Sequence, residues 1–162
     1  MIEIKAPSRL TLSQYNNPNK IFLGGSIEMG SAEMWQDKIV KEFENYDVLF
    51  LNPRRDDWDS SWIQDPTPGT KFHEQVSWER NMQLLSEFII YHFDSKTKSP
   101  ITMFELGEFG VNNNTNIFVS CNEDFWRYGN VKIFCDYHMI PVFNNLEDLI
   151  NILKDRLINY KS

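Results

Sequence analysis

The 162-residue sequence is poor in the features that mark several protein classes. It has two cysteines, Cys121 and Cys135, without C-x-x-C spacing, which excludes a disulfide framework; reduced thiols in a cytoplasmic setting are expected. No metal signature is present, so neither a metal nor another cofactor is expected. Basic charge is scarce: 16 Lys and Arg against 23 Asp and Glu give a net charge of −7 and a pI near 4.9. Capture of polyanions depends on clustered cations, so DNA and RNA polymers are not expected partners. Apolar runs fall short of the roughly 18 residues of a membrane span, and the N-terminus lacks the apolar core of a signal peptide. No membrane partner is expected. The glycines form neither G-x-G-x-x-G nor a P-loop, which disfavours nucleoside triphosphate chemistry.

What is present suits one domain over residues 1–162, with 1–19 as an extension carrying an edge strand at Glu3 to Lys5. Apolar residues make up 41% and aromatics 14%, with twelve Phe, six Tyr and five Trp, enough for a core and a pocket wall. Short apolar runs at Ile21–Leu23, Val48–Leu51, Phe88–Tyr91 and Ile117–Val119 read as buried strands, with a weaker fifth around Ile140–Phe143. Amphipathic segments lie between and after them: Ala32–Phe43, with Met34, Ile39, Val40 and Phe43 near helical spacing, then Gln75–Ser86 and Leu146–Tyr160. The Asn112–Asn116 run reads as a helix stop and turn. Alternation of this kind predicts an α/β fold, a flavodoxin-like open parallel sheet of about five strands in the order 2-1-3-4-5 with helices on both faces. Ligands of such sheets bind beyond the carboxyl ends of the strands.

The unusual residues follow those ends. Gly24-Gly25-Ser26 is either a tight strand-to-helix turn or a place where backbone approaches an oxygen anion. Asn52, Arg55, Asp57 and Trp58 form a dense polar and aromatic cluster that reads as a solvated loop or, with Trp62, as a base-stacking wall or lid. In Ser99-Pro100-Ile101-Thr102-Met103-Phe104-Glu105-Leu106-Gly107, Ser99 is a candidate N-cap and Pro100 suits the first helical position. Glu105 then shares a helical stripe with Ile101 and Phe109, and proximity to the helix N-terminus favours its ionised form. An ionised carboxylate can attack an anomeric carbon and form a glycosyl ester. On the preceding helix Gln75 and Glu79 flank a face made by Trp78, Met82 and Leu85; Glu79 is either a surface carboxylate or a group that protonates the leaving base.

Together IFLGGSI, LNPRRDDW, EQVSWE, FIIYHF and SPITMFELG resemble the nucleoside 2-deoxyribosyltransferase family and its relatives, the deoxynucleoside 5′-monophosphate N-glycosidases, over roughly Ile21 to Val131. The resemblance implies that Glu105, in Glu-Leu-Gly, is the nucleophile and that Glu79 assists, although many members have Asp there. It implies a homo-oligomer in which Asn130 completes a neighbour's site; on composition alone Asn130 is a turn residue after Gly129. Many members steady the nucleophile with a tyrosine from the first strand, where this chain has Phe22, so another donor is needed. Ser99 stands where transferases often have Asp and the nucleotide hydrolases have a phosphate-binding serine.

Three functions are consistent with these residues. The first is transfer of a deoxyribosyl group from a nucleoside to a free nucleobase, with Gly24, Gly25, Ser26, Asn52, Arg55, Asp57, Trp58, Gln75, Trp78, Ser99, Thr102 and Asn130 around the substrate and Trp62 and Phe72 as further aromatic candidates for an acceptor pocket. The second is hydrolysis of a nucleoside 5′-monophosphate, with Ser26, Ser99 or Arg55 at the phosphate. The third is a nucleotide-binding module without catalysis.

Overall fold

The structure, a computed structural model, describes residues 1–17, 19–27, 34–59, 61–111 and 116–159. The start of the expected Ala32 helix, most of the Asn112–Asn116 run and Tyr160 lie outside them. Six strands, β1 (Ile2–Lys5), β2 (Lys20–Gly25), β3 (Leu49–Asn52), β4 (Phe88–Phe93), β5 (Asn116–Cys121) and β6 (Val142–Phe143), form one all-parallel sheet in the order β1-β3-β2-β4-β5-β6. The five expected strands take their expected order, and the N-terminal strand is added outside β3 with Ile2 opposite Leu49.

The helices are α1 (Leu12–Tyr15), α2 (Trp35–Glu42), α3 (Lys71–Leu85), α4 (Pro100–Gly110), α5 (Tyr128–Tyr137) and α6 (Leu146–Asn159). Strand residues alternate between two cores because successive side chains point to opposite faces. Phe22, Leu51, Ile89, Tyr91 and Val119 meet Trp78 and Met82 of α3, Leu106 and Phe109 of α4, and Val131 and Cys135 of α5. Ile21, Leu23, Phe50, Ile90 and Phe118 meet Trp35 and Ile39 of α2 and Leu149, Ile150 and Leu153 of α6. Both faces are covered, which explains why the central strands read as unbroken apolar runs. Each such side chain contributes roughly 1.5–3 kcal/mol by leaving water.

Several elements differ from expectation. Helix α3 begins four residues before Gln75, because the Thr70 hydroxyl accepts from His73 N at 3.2 Å and caps an earlier turn. Of the expected stripe Ile39 and Phe43 are buried and Val40 packs on the same core, whereas Met34 is exposed and Trp35 and Gln36 are buried at the start of α2. Helix α5 is additional, and it makes Asn130 a helical residue instead of a turn asparagine.

Candidate active site

Helices α3 and α4 descend side by side from the carboxyl edge of the sheet on the Tyr91 face, α3 against β2 and α4 against β4. Gln75, Glu79 and Gln83 recur every four residues and form a polar row along α3. Gln75 Nε2 donates to Glu79 Oε1 at 2.8 Å and to the Pro53 carbonyl at 2.8 Å, which moors the row to the loop after β3. Gln83 Nε2 donates to Glu105 Oε1 at 2.8 Å. Two carboxyls on facing helices are therefore each held by one glutamine amide. Arg80 and Glu108, paired at 2.8 Å, close the helix interface on its solvent side.

Both carboxyls are partly buried. Burial pushes Glu79 up to about 7 against the bond from Gln75. Burial and the charge of Glu79 push Glu105 up to about 8 against the bond from Gln83. The two carboxyls interact, so their protons leave in two steps that belong to the pair. This corrects the expected ionisation of Glu105 by a helix N-terminus: it is the sixth residue of α4, beyond the orphan N–H groups of the first turn, and its partner is a side-chain amide. The expected stripe is also only half apolar-buried, since Phe109 is buried while Ile101 is exposed.

A second polar cluster lies where β2 and β4 end. The Ser26 hydroxyl lies 2.7 Å from that of Thr97 and 2.6 Å from that of Ser99, Thr97 and Ser99 are 2.7 Å apart, and Asp94 N donates to Ser26 Oγ at 2.9 Å. Ser99 occupies the N-cap position of α4 but its hydroxyl makes no cap bond; its backbone is left-handed, φ 45°, and the hydroxyl turns to Ser26. The N-cap role expected for Ser99 is thus replaced by membership of a three-hydroxyl cluster.

The glycines serve close packing of the fold itself. A Cβ on Gly24 would stand 2.7 Å from Tyr91 Cε1, and one on Gly25, φ 151°, would stand 2.5 Å from the His92 carbonyl oxygen. The loop residues bond one another. Asn52 Nδ2 donates to Glu3 at 2.7 Å while its Oδ1 accepts from Arg54 N. Buried Arg55 forks onto Asp57 at 2.8 and 3.0 Å, reaches Glu74 at 3.1 Å, and lies 4.9 Å from the centre of the Trp62 ring. Both carboxylates therefore occupy the cation proposed for a phosphate. Trp58 packs on Trp62, 5.0 Å between ring centres, on the exposed side of this loop. Phe72 is half-buried at the start of α3. Trp78 is a core residue whose indole N–H donates to the Ser8 carbonyl, and Thr102 is buried within α4.

Asn130 lines a groove of about 300 Å³ between α4 and α5 with Met103, Leu106, Gly107, Val131 and Phe134. Glu105 leaves the neighbouring side of α4, towards Gln83. Another groove, between Asn19, Tyr46, Val48 and Leu157, lies at the amino edge of the sheet and shares no residue with the carboxyl pair. Among the described residues no group of three His, Cys, Asp or Glu side chains could hold a metal, and no helix is long and apolar enough to cross a membrane.

Gln83, Tyr91 and Thr97 are absent from the sequence-based expectation. The four-residue spacing Gln75, Glu79, Gln83 is the signal that could have found Gln83. Tyr91 sits in an apolar run that gives no such sign.

Among solved structures, the chain is similar to a conserved protein from Enterococcus faecalis V583, with 13% identity, a TM-score of 0.58 and coverage of 85% of this chain and 98% of that one; this shows a shared fold. No curated protein matches the chain. Residues 18–125, which span the carboxyl pair, the hydroxyl cluster and the two glycines that end β2, match the family model described as nucleoside 2-deoxyribosyltransferase like, and the chain belongs to that family.

Proposed function

We propose that the protein is a nucleoside 2-deoxyribosyltransferase working through a covalent sugar ester on Glu105. The observation that carries this reading is the carboxyl pair: Glu105 and Glu79 on facing helices, each held by one glutamine amide, with Glu105 pushed up by burial and by the charge of Glu79. In the first half-reaction Glu105 Oε2 bonds to C1′ as the C1′–N bond breaks. The bond's electron pair leaves with the base, which takes the proton of the Glu79 carboxyl. In the second, a nitrogen of another base bonds to C1′, the ester C–O bond breaks, Glu105 is restored, and the acceptor's proton returns to Glu79. Two displacements retain configuration. The substrate is a small-molecule nucleoside and the acceptor a free nucleobase; Asn130 is proposed to act in the site of a neighbouring copy.

The pair must carry one proton for this division of labour. kcat/KM is therefore expected to be bell-shaped in pH with its maximum between about 7 and about 8. The first test is exchange: incubation with a deoxynucleoside and a different free base should yield a new nucleoside. The Ser26–Thr97–Ser99 hydroxyl cluster supports a second reading, hydrolysis of a nucleoside 5′-monophosphate, since hydroxyls that bond one another can exchange those bonds for a phosphate. Release of sugar phosphate without base exchange would select it. Binding without turnover would select the non-catalytic module.

A further inference from the structure

Glu105 has two carboxylate oxygens and one of them is held. Its holder, Gln83, is 1% exposed and comes from α3, whereas Glu105 comes from α4. A glutamine amide can turn end for end, so what matters is the group at its other end. There the Tyr91 hydroxyl donates to Gln83 Oε1 at 2.5 Å. Turned over, the amide would present its oxygen to the ionised Glu105 carboxylate, the form that attacks, and two acceptors would face each other. The orientation with Nε2 on Glu105 and Oε1 on Tyr91 satisfies all three groups.

Tyr91 reaches that point from the fourth position of β4 through the space above Gly24. Any side chain on Gly24 would meet the Tyr91 ring at 2.7 and 2.8 Å, and Phe22 at 3.2 Å. Phe22, on the same strand as Gly24, is buried in the same core and has no hydroxyl to offer. A continuous chain thus runs from Gly24, as space, through the Tyr91 ring and hydroxyl and the Gln83 amide to Glu105 Oε1.

We propose that Gln83 is the positioning residue of the nucleophile: held in one orientation by Tyr91, it fixes Glu105 Oε1 and leaves Oε2 directed at the sugar. This deepens the transferase reading and rests on it. A bond to the carboxylate favours the charged form, so Gln83 opposes the burial, the Glu79 charge from α3 and the Glu108 charge from α4 that push Glu105 upward. Tyr91, facing the pair from β4, is pushed above its ordinary value by burial and by the charges of Glu105 and Glu108 and stays a donor.

Two variants test the chain, Gln83→Leu and Tyr91→Phe, the second keeping the ring in place should the first fold poorly. In base exchange, kcat should fall roughly 10- to 100-fold in Gln83→Leu and less in Tyr91→Phe, with KM within about twofold, because the lost bond orients the nucleophile. In carbon-13 NMR titrations of the Glu105 carboxyl, both variants should titrate higher than the parent, Gln83→Leu by about one pH unit or more. Unchanged kcat and unchanged Glu105 titration in both variants, with Glu105→Gln inactive, would overturn the positioning role while the transferase reading stood. Turnover by Glu105→Gln would overturn the reading itself, and the titration, which needs no substrate, would still report whether Gln83 holds Glu105.

Discussion

At the residue scale the proposed chemistry rests on Glu79 and Glu105, and each makes a separable prediction. Glu105→Gln keeps the shape of the side chain and removes the nucleophile, so turnover should fall by on the order of a thousandfold or more in steady-state assays. Glu79→Gln removes a proton donor and should cost roughly 10²–10⁴-fold. The same residues govern stability against pH. Both have folded-state values above the ordinary 4.5, so the folded protein retains protons that the unfolded chain releases. Their contribution is complete below about pH 4.5 and is lost as pH rises through about 7 and about 8. Glu105→Gln should therefore unfold at a higher temperature than the parent at pH 8 to 9 and differ little near pH 5, measured by calorimetry. A Tm difference that was constant across this range would contradict the raised carboxyls. Glu105 and Glu79 were legible in the sequence because they occupy motif and helical spacings. The upward shift of Glu105 was not, because it depends on the burial and the facing carboxyl that α3 and α4 create together.

The glycines show at the element scale how the sheet and helices meet. Gly25 lies where β2 touches the β4 backbone at His92, and a Cβ there meets a carbonyl oxygen that cannot turn aside, at a φ unfavourable to other residues. Gly25→Ala should destabilise the fold by about 2–3 kcal/mol in denaturant titrations. Gly107 is the opposite case, a glycine inside α4 whose added Cβ would meet nothing within 4 Å. Gly107→Ala should stabilise the chain by roughly 0.5–1 kcal/mol. Any loss of activity in that variant would then come from the α4–α5 groove that Gly107 lines. The strands were legible from their apolar runs, whose uninterrupted character reports burial on both faces. Helix α5 was missed because its buried side chains, Val131 and Cys135, are too few to produce an apolar stripe. The early start of α3 was missed because the cap is set by Thr70, outside the periodic segment.

In the whole molecule, the parallel order places β2 and β4 side by side, so the segments after them and the helices α3 and α4 converge on one region of one face. Chain alternation made this topology legible, and with it the neighbourhood of the site, while the coupling of Gly24, Tyr91 and Gln83 to Glu105 required the register that sets Gly24 opposite Tyr91. Asn130 belongs to this scale, since it lies on the groove beside α4 while Glu105 turns towards α3. If it serves a neighbouring copy, inactive Glu105→Gln and Asn130→Ala proteins mixed and allowed to exchange subunits should regain up to about a quarter of parental activity, because one site in each mixed dimer is intact. No recovery, with exchange confirmed by mass spectrometry of the intact assembly, would place Asn130 outside the site.

The central claim is that a sugar becomes covalently attached to Glu105. The direct measurement is mass spectrometry of the protein quenched during incubation with a deoxynucleoside and no acceptor base, followed by peptide mapping. The account predicts one deoxyribosyl group on the peptide containing Glu105, lost on addition of a free base and absent from Glu105→Gln. Base exchange that proceeds with the sugar on another residue, or with Glu105→Gln as active as the parent, would contradict it.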